Sequence, residues 1–251
     1  MIVYGTLFSV KPFLCGAVMK DIQAIFFDFG GTLAFEPYSH EDSFYTYLRR
    51  RGISASYDDV VAGVRAMERY HDAWRKAHPD DGSKKIGDRF WYHACLEFAR
   101  SIPSITDHED LAELLHADHR VIPNHLYADT LPTLEHFRRC GVPMGIISNW
   151  DAPTLEWVLR DLAIRDYFSA AVSSRCAECE KPAPGIFHEA CGRLKVSPEH
   201  AVMVGDNPDA DIRGALSVGM KGIWINRTGN GKHPKCLTIH RLTELTTALA
   251  M

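Results

Sequence analysis

The strongest constraint on the fold is an apolar run that ends in an acidic, glycine-rich turn. Residues 24–27 read Ala-Ile-Phe-Phe, and the chain continues with Asp28 followed by Phe-Gly-Gly-Thr. A short apolar run bounded by glycine is typical of a buried strand. Open α/β sheets place their chemistry at the carboxyl ends of such strands. We therefore predict that Asp28 lies at the functional edge of a sheet.

Two further apolar runs end in polar residues of the same kind. Residues 144–147 lead into Ser148 and Asn149, and residues 201–204 lead into Gly-Asp206. A hydroxyl and backbone N–H groups at a strand end are able to hold a phosphoryl oxygen. Ser148 has an alternative interpretation as the N-cap of the helix that follows it.

A lysine lies between these two runs in a proline-rich segment. Lys181 opens the sequence Lys-Pro-Ala-Pro-Gly, in which the prolines favour a turn and then a helix start. This geometry directs the ammonium group toward the sheet. Two acidic residues follow Asp206, and we interpret Asp211 as a site residue and Asp209 as a residue that favours the positive end of a helix.

The order of the elements indicates the fold class. Strand-like and helix-like segments alternate from residue 126 to a segment at residues 221–226, and residues 238–249 read as one outer helix. Alternation of this kind predicts an α/β fold with a doubly wound, Rossmann-like parallel sheet.

The long insert after the first motif has a helical pattern. Ser39 and Ser56 are suitable N-caps, and Gly52 is placed to end the first helix. Apolar residues at helical spacing predict two further helices, around residues 90–98 and 111–115.

Composition places limits on the partners and the cellular compartment. A net charge of −4 over 251 residues is too small to direct the protein to nucleic acid or to a membrane surface. The seven cysteines do not suggest a secreted disulfide framework, so we expect a cytoplasmic protein. Cys176 and Cys179 have the spacing of a metal pair, but a structural zinc site needs four ligands and no second pair lies nearby.

The four motifs together resemble the haloacid dehalogenase superfamily, whose members are mostly phosphatases. Their order and separation match the family over roughly residues 23–226. The resemblance implies an α-helical cap domain inserted into the core. We therefore predict an N-terminal extension at residues 1–20, a Rossmann-like core at residues 21–36 and 126–251, and a cap at residues 37–125.

The resemblance also implies a role for each motif residue. Asp28 would be the nucleophile that forms an aspartyl-phosphate, and Thr32, Ser148, Asn149 and Lys181 would hold the phosphoryl oxygens. The implied substrate is a small phosphorylated molecule. Neither its identity nor the oligomeric state follows from the sequence.

The implied cofactor is Mg²⁺, which prefers hard oxygen ligands. Asp28, Asp206 and Asp211 would provide carboxylate oxygens, and Gly30 would provide its backbone carbonyl. All four positions lie in motifs that match the family.

The chain departs from the family pattern at one position. The family usually has a second aspartate two residues after the nucleophile, where this chain has Gly30. That aspartate is the general acid and base, a function that contributes about 10²- to 10⁴-fold in rate. The protein would therefore use good leaving groups, take a proton donor from the cap or the substrate, or turn over slowly.

Three alternatives to a phosphatase are compatible with this departure. A 2-haloacid dehalogenase also lacks the second aspartate, but Asp206 and Asp211 would repel its substrate carboxylate and no arginine is evident beside Asp28. A phosphonatase would need a cap lysine for a Schiff base, and the candidates are Lys76, Lys84 and Lys85. The third alternative is a weakly active or inactive protein that binds a phosphorylated ligand.

Overall fold

The computed structural model describes residues 21–77, 90–118, 121–150, 152–174, 179–229, 231–233 and 235–249. The predicted N-terminal extension, residues 1–20, lies outside this part of the chain. The strands, in chain order, are β1 (Ala24–Phe27), β2 (Ala34–Phe35), β3 (His125–Leu126), β4 (Met144–Ser148), β5 (Ala170–Ser173), β6 (Ala201–Gly205), β7 (Lys221–Ile225) and β8 (Leu237–Ile239).

Six of these strands form one parallel sheet in the order β5-β4-β1-β6-β7-β8. The chain moves outward from β1 in one direction through β4 and β5, and in the other direction through β6, β7 and β8. The position between β1 and its neighbours is thus a topological switch point, where α/β sheets open a crevice for ligands.

The strand register aligns the motif-bearing ends of the central strands. Phe27 pairs with Ile146 of β4 on one side and with Val204 of β6 on the other. The N–H of Asp28 continues the ladder by donating to the Val204 carbonyl at 2.9 Å. Asp28 therefore leaves the sheet between the ends of β4 and β6.

Helices cover the sheet and form the insert. They are α1 (His40–Arg50), α2 (Tyr57–Ala77), α3 (Phe90–Arg100), α4 (His108–Ala117), α5 (Thr130–Arg139), α6 (Ala152–Asp161), α7 (Pro184–Leu194), α8 (Gly214–Ser217) and α9 (Leu245–Ala248). A π-helical segment, Pro208–Arg213, precedes α8. Among the described residues, no helix combines the length and apolar character that a bilayer span requires.

Both faces of the sheet are buried under helices, as the sequence predicts for a doubly wound fold. All four residues of β1 are buried, because alternate side chains point to opposite faces and each face is covered. One core cluster packs β1 against α5, α6 and α9, and includes Ile25, Phe27, Leu134, Leu159 and Leu245. The other packs it against α7 and α8, and includes Phe26, Ile186, Phe187, Met203 and Ala215.

The insert has a hydrophobic core of its own. Side chains from α1 to α4 form a third cluster, which includes Phe44, Leu48, Val64, Phe98 and Leu111. The two ends of the insert are joined by a short antiparallel ribbon in which β2 pairs with β3. This arrangement agrees with an inserted helical unit, while the division at residues 37 and 125 stays a prediction.

The predicted N-caps of the insert are confirmed. The Ser39 hydroxyl accepts a hydrogen bond from the N–H of Asp42 at 3.1 Å, at the start of α1. The Ser56 hydroxyl accepts one from the N–H of Asp59 at 3.1 Å, and the Asp59 carboxylate accepts from the N–H of Ser56 in return. These bonds satisfy N–H groups that have no partner within the helix.

The prediction of one helix over residues 238–249 is wrong. The segment begins in β8, where the Ile239 carbonyl accepts from the N–H of Asn226 at 2.8 Å, and helix forms only from Leu242 onward. The Glu244 carboxylate caps this later start by accepting from the N–H groups of His240 and Arg241. The sheet edge offers backbone partners that the apolar spacing does not reveal.

The fully buried Leu48 tests the core of the insert. We expect Leu48→Ala to lower the free energy of unfolding by about 2–5 kcal/mol, because the lost side chain leaves a cavity. Leu131→Ala is the control, since Leu131 is 45% exposed and its truncation should change stability within about 0.5 kcal/mol. Urea unfolding followed by circular dichroism measures both, and equal losses would contradict a packed core in the insert.

Candidate active site

Three carboxylates converge where β1 and β6 end. Asp28 directly follows β1, Asp206 directly follows β6, and Asp211 lies in the π-helical segment Pro208–Arg213. One oxygen from each of the three lies within 4.8 Å of the other two. The structure thus brings together three residues from two separate motifs.

Lys181 lies between two of these carboxylates. Its Nζ is 2.6 Å from Oδ1 of Asp28 and 2.6 Å from Oδ1 of Asp211. Lys181 is 5% exposed and Asp211 is 1% exposed, so the ion pairs are screened from water. Removing one partner of such a pair leaves an uncompensated buried charge, which costs about 3–5 kcal/mol.

The site carries more negative than positive charge. Burial raises the pKa of Asp211 to about 6, with Lys181 opposing the shift and Asp28 adding to it. Burial also raises the pKa of Asp28 and of Asp206 above the ordinary range for aspartate. Burial alone would lower the pKa of Lys181, but Asp211 and Asp28 outweigh that effect and raise it, so the ammonium stays charged.

The donor set fits a small divalent cation. Carboxylate oxygens from Asp28, Asp206 and Asp211 are hard ligands of the kind that Mg²⁺ prefers. Asp206 is exposed, which leaves a route to the cluster from solvent. The single ammonium of Lys181 balances only part of the charge of three carboxylates.

Asn149 positions the backbone of Lys181. Its side-chain amide donates to the Lys181 carbonyl at 3.1 Å and accepts from the Lys181 N–H at 2.8 Å. This two-bond contact fixes the segment from which the ammonium reaches the carboxylates. The phosphate contact predicted for Asn149 stays a prediction.

Ser148 and Thr32 lie at the same edge of the sheet. The register of β4 against β1 places the buried Ser148 beside the turn after Asp28. The Ser148 hydroxyl accepts from the N–H of Trp150 at 3.2 Å, a turn contact that precedes α6. The Thr32 hydroxyl lies 3.4 Å from Oδ1 of Asp206.

Two glycines permit the carboxylates to approach the backbone. A Cβ added to Gly31, whose φ is +75°, would lie 2.3 Å from Oδ2 of Asp206. A Cβ added to Gly205 would lie 2.2 Å from Oδ2 of Asp211. Any larger residue at either position would displace a carboxylate of the cluster.

Asp209 lies outside the cluster, as the sequence analysis expects. Its exposed carboxylate bonds to the guanidinium of Arg213 at 2.6 and 2.9 Å. Asn207 caps the π-helical segment by accepting from the N–H groups of Asp209 and Ala210.

Arg227 is a site-proximal residue that the sequence analysis missed. Its guanidinium donates to the carbonyl of Gly31 at 3.2 Å and to that of Thr32 at 2.5 Å. It also makes two bonds of 3.2 Å to Asp129, and its Cζ lies 3.5 Å from the ring centroid of Tyr127. Arg227 thus contacts the turn that follows Asp28, whereas the expectation that no arginine lies beside Asp28 itself stays a prediction.

Arg227 joins the glycine-rich turn to the ribbon that leads into the insert. Tyr127 directly follows β3, packs on the ring of Phe35 at 4.8 Å, and donates its N–H to the Leu33 carbonyl at 3.1 Å. An arginine just past the end of β7 is the signal that the sequence offered. The spacing of residues in the sequence does not show that the Arg227 side chain reaches the turn at Gly31 and Thr32.

Several weaker candidates are left untested by the described residues. Lys76 is exposed near the end of α2, and Lys84 and Lys85 lie outside the described residues. Cys176 also lies outside them, whereas Cys179 is a buried free thiol. The structure therefore tests neither the lysine that a phosphonatase would need nor the argument against a zinc site at Cys176 and Cys179.

Comparison with known proteins decides the family. Residues 22–219 match the haloacid dehalogenase-like hydrolases. The chain belongs to this family of hydrolases. The parallel sheet agrees with this match, and the three carboxylates of the acidic cluster lie in two of the matched motifs.

Proteins similar to this hydrolase include phosphatases, and a dehalogenase shares its fold. It is 43% identical over 101 residues to glyceraldehyde 3-phosphate phosphatase of Methanopyrus kandleri, and the match covers 40% of this chain and 43% of that protein. A crystal structure of a HAD phosphatase from Thermococcus onnurineus is 27% identical, with a TM-score of 0.63 over 91% of this chain and 98% of that one. A 2-haloacid dehalogenase from Pseudomonas syringae pv. Tomato has a TM-score of 0.69 at 24% identity over 91% and 98% of the two chains, which shows the shared fold alone.

The close contact at Gly205 generates a prediction for the cluster. We expect Gly205→Ala to weaken Mg²⁺ binding by roughly 10- to 100-fold, because the added methyl group displaces Asp211. Gly192→Ala is the control, since a Cβ there meets nothing within 4 Å and α7 should gain about 0.5–1 kcal/mol. Isothermal titration calorimetry measures binding, and unchanged affinity in Gly205→Ala would contradict this role of Asp211.

The contacts of Arg227 generate a second prediction. We expect Arg227→Met to lower the free energy of unfolding by about 2–3 kcal/mol, because the Gly31 and Thr32 carbonyls and Asp129 lose a charged partner. Arg100→Met removes an exposed i,i+3 pair with Glu97 and should change stability within about 0.5 kcal/mol. Chemical unfolding measures the free energy of unfolding of both variants. An equal loss in the two variants would contradict a stabilising role of Arg227 at the turn.

Proposed function

We propose that this hydrolase is a Mg²⁺-dependent phosphatase that acts on a small phosphorylated metabolite through Asp28. The observation that supports this proposal most directly is the convergence of Asp28, Asp206 and Asp211 around Lys181. A carboxylate nucleophile, an ammonium group and a cation-binding acidic pair are the parts that phosphoryl transfer requires.

Charge explains why the acidic cluster suits a phosphate ester. A phosphate monoester is a dianion, so a carboxylate attacks it only where positive charge offsets their repulsion. Asp28, Asp206, Asp211 and the carbonyl of Gly30 would hold Mg²⁺. When bound, the ion supplies charge that stabilises the oxygens of the transferring phosphoryl group.

The protein's own residues then have distinct roles in the proposed reaction. Asp28 attacks phosphorus and forms an aspartyl-phosphate, while Lys181, Ser148 and Thr32 hold the phosphoryl oxygens. Asn149 keeps Lys181 in place through its two backbone bonds. Water then releases inorganic phosphate and restores the Asp28 carboxylate.

The named relatives support phosphate ester hydrolysis and leave the substrate open. The chain spans less than half the length of the glyceraldehyde 3-phosphate phosphatase that it matches. We therefore extend to this chain the use of a small phosphorylated substrate, without its identity. The helical insert is the part that we expect to select among such substrates.

The site favours phosphate over a 2-haloacid. Asp206 and Asp211 add negative charge beside Asp28, which would repel a haloacid carboxylate. Arg227 lies near the same turn, but four of its N–H bonds go to two carbonyls and to Asp129.

We also propose a cytoplasmic location, because the five cysteines Cys95, Cys140, Cys179, Cys191 and Cys236 are free thiols.

Phosphate release from para-nitrophenyl phosphate and acetyl phosphate tests the proposal. We expect release from both with Mg²⁺, loss of release with a chelator, and loss in Asp28→Asn, because the amide is a poor nucleophile and a weaker ligand. A malachite green assay for phosphate measures all three conditions.

Asp209→Asn is the matched control for this experiment. It makes the same change from aspartate to asparagine, but Asp209 is exposed and bonded to Arg213 outside the cluster. Its activity should remain near that of the unchanged protein. Metal-independent release, or full activity in Asp28→Asn, would rule out the proposed mechanism, and binding of Mg²⁺ without release would favour a phospho-ligand-binding protein.

A further inference from the structure

The space beside Gly30 determines which phosphoryl donors the site can use. We propose that the site works without a proton donor from the protein and therefore selects donors whose leaving group departs as a stable anion, acyl phosphates first and aryl phosphates next. This inference rests on the proposed phosphatase function and names the substrate class of the same site.

No described side chain takes the place of the missing aspartate. A Cβ added to Gly30 would meet no heavy atom of the described residues within 4 Å. The carboxyl oxygens of an aspartate lie only two bonds from its Cβ, well inside this distance. Among the described residues, the space into which a side chain at position 30 would extend is therefore open next to the backbone.

The backbone does not explain why this position is glycine. The φ of Gly30 lies outside the left-handed region, in contrast to Gly31 with a φ of +75°. Gly31 also faces the Asp206 carboxylate, whereas Gly30 faces open space. A larger side chain is compatible with position 30, so its residue type affects the chemistry more than the fold.

Two polar side chains of the site, Lys181 and Thr32, are not placed to replace the acid. Phosphoryl transfer proceeds nearly in line, so the leaving oxygen lies across phosphorus from the attacking oxygen. The Nζ of Lys181 is 2.6 Å from Oδ1 of Asp28, which places it on the side of the nucleophile. The Thr32 hydroxyl is directed toward Asp206 at 3.4 Å.

The balance of the two steps shows where a proton is needed. An Asp28 oxygen forms a bond to phosphorus, the bond from phosphorus to the leaving oxygen breaks, and its electron pair stays on that oxygen. Water then attacks the aspartyl-phosphate, Asp28 departs as a carboxylate, and inorganic phosphate and one proton are released. The first step needs a proton only if the leaving oxygen is too basic to depart as an anion.

Leaving-group acidity therefore divides the possible substrates. Carboxylic acids have pKa values of about 4, so the carboxylate from an acyl phosphate departs without a proton. Phenols are intermediate, with a pKa of about 10 for tyrosine. An alkoxide is nearly as basic as hydroxide, and water has a pKa of about 15.7.

A leaving-group series with two variants at position 30 tests the inference. The substrates are acetyl phosphate, ring-substituted phenyl phosphates of graded acidity, and glycerol phosphate, all assayed with Mg²⁺. Gly30→Asp supplies a proton donor, and Gly30→Asn has the same shape without one. Circular dichroism and thermal melting show whether each variant is folded.

We expect kcat/KM of the unchanged protein to fall steeply as the leaving group becomes more basic. Gly30→Asp should flatten this dependence and raise kcat/KM for glycerol phosphate by about 10²- to 10⁴-fold, while acetyl phosphate changes little. Gly30→Asn should keep the steep dependence.

A flat dependence in the unchanged protein would overturn the inference, because another group, such as a cap side chain, must then donate the proton. That measurement decides the matter even if neither variant folds. If the protein releases phosphate from no substrate, including acetyl phosphate, the proposed phosphatase function fails as well. Activity with a flat dependence contradicts the inference alone.

Discussion

The bridge that Lys181 makes between Asp28 and Asp211 is the interaction on which the site depends. Three carboxylates within 4.8 Å of one another would repel strongly at the end of a sheet. The ammonium contacts two of them at 2.6 Å and is buried with them. Because it offsets part of their charge, the carboxylates can remain together, and the charge that is left attracts a divalent cation.

The surrounding backbone is shaped to keep this cluster intact. Gly31 and Gly205 have no side chain where Asp206 and Asp211 approach, and Asn149 fixes the segment that carries Lys181. Arg227 binds the carbonyls of the turn after Asp28 from the other side. Backbone contacts, side-chain size and charge therefore act together on a few residues at one switch point of the sheet.

Gly30 differs from these glycines because nothing in the fold requires it. The position has room for a side chain and an ordinary φ, so the residue there affects the reaction without affecting the packing. Because position 30 can be changed without disturbing the packing, the site is suitable for testing how much a general acid contributes to the rate. In the proposed mechanism, the charges that would bind the phosphoryl group and the group that would protonate the product belong to different residues.

Much of the fold was predictable because short residue patterns indicate where strands and helices begin and end. The apolar runs before Asp28, Ser148 and Asp206 became β1, β4 and β6, and the serines at positions 39 and 56 became helix caps. The helix predicted over residues 238–249 failed for a physical reason. Its apolar residues suit a helix and a strand equally well, and only the free edge of β7 made the strand β8 the better partner.

The sequence by itself determined the four motifs, their order, the parallel sheet that they end and the glycine at position 30. Local residue types carry this information, since a strand needs apolar residues and a catalytic turn needs its acids and glycines. Only the tertiary structure decided which oxygen of which carboxylate Lys181 contacts, and that Arg227 returns to the turn at Gly31 and Thr32. Lys181 and Asp211 are 30 positions apart, and the other contacts join residues that are more than 150 positions apart. The paths of the strands and helices between these residues set the distances.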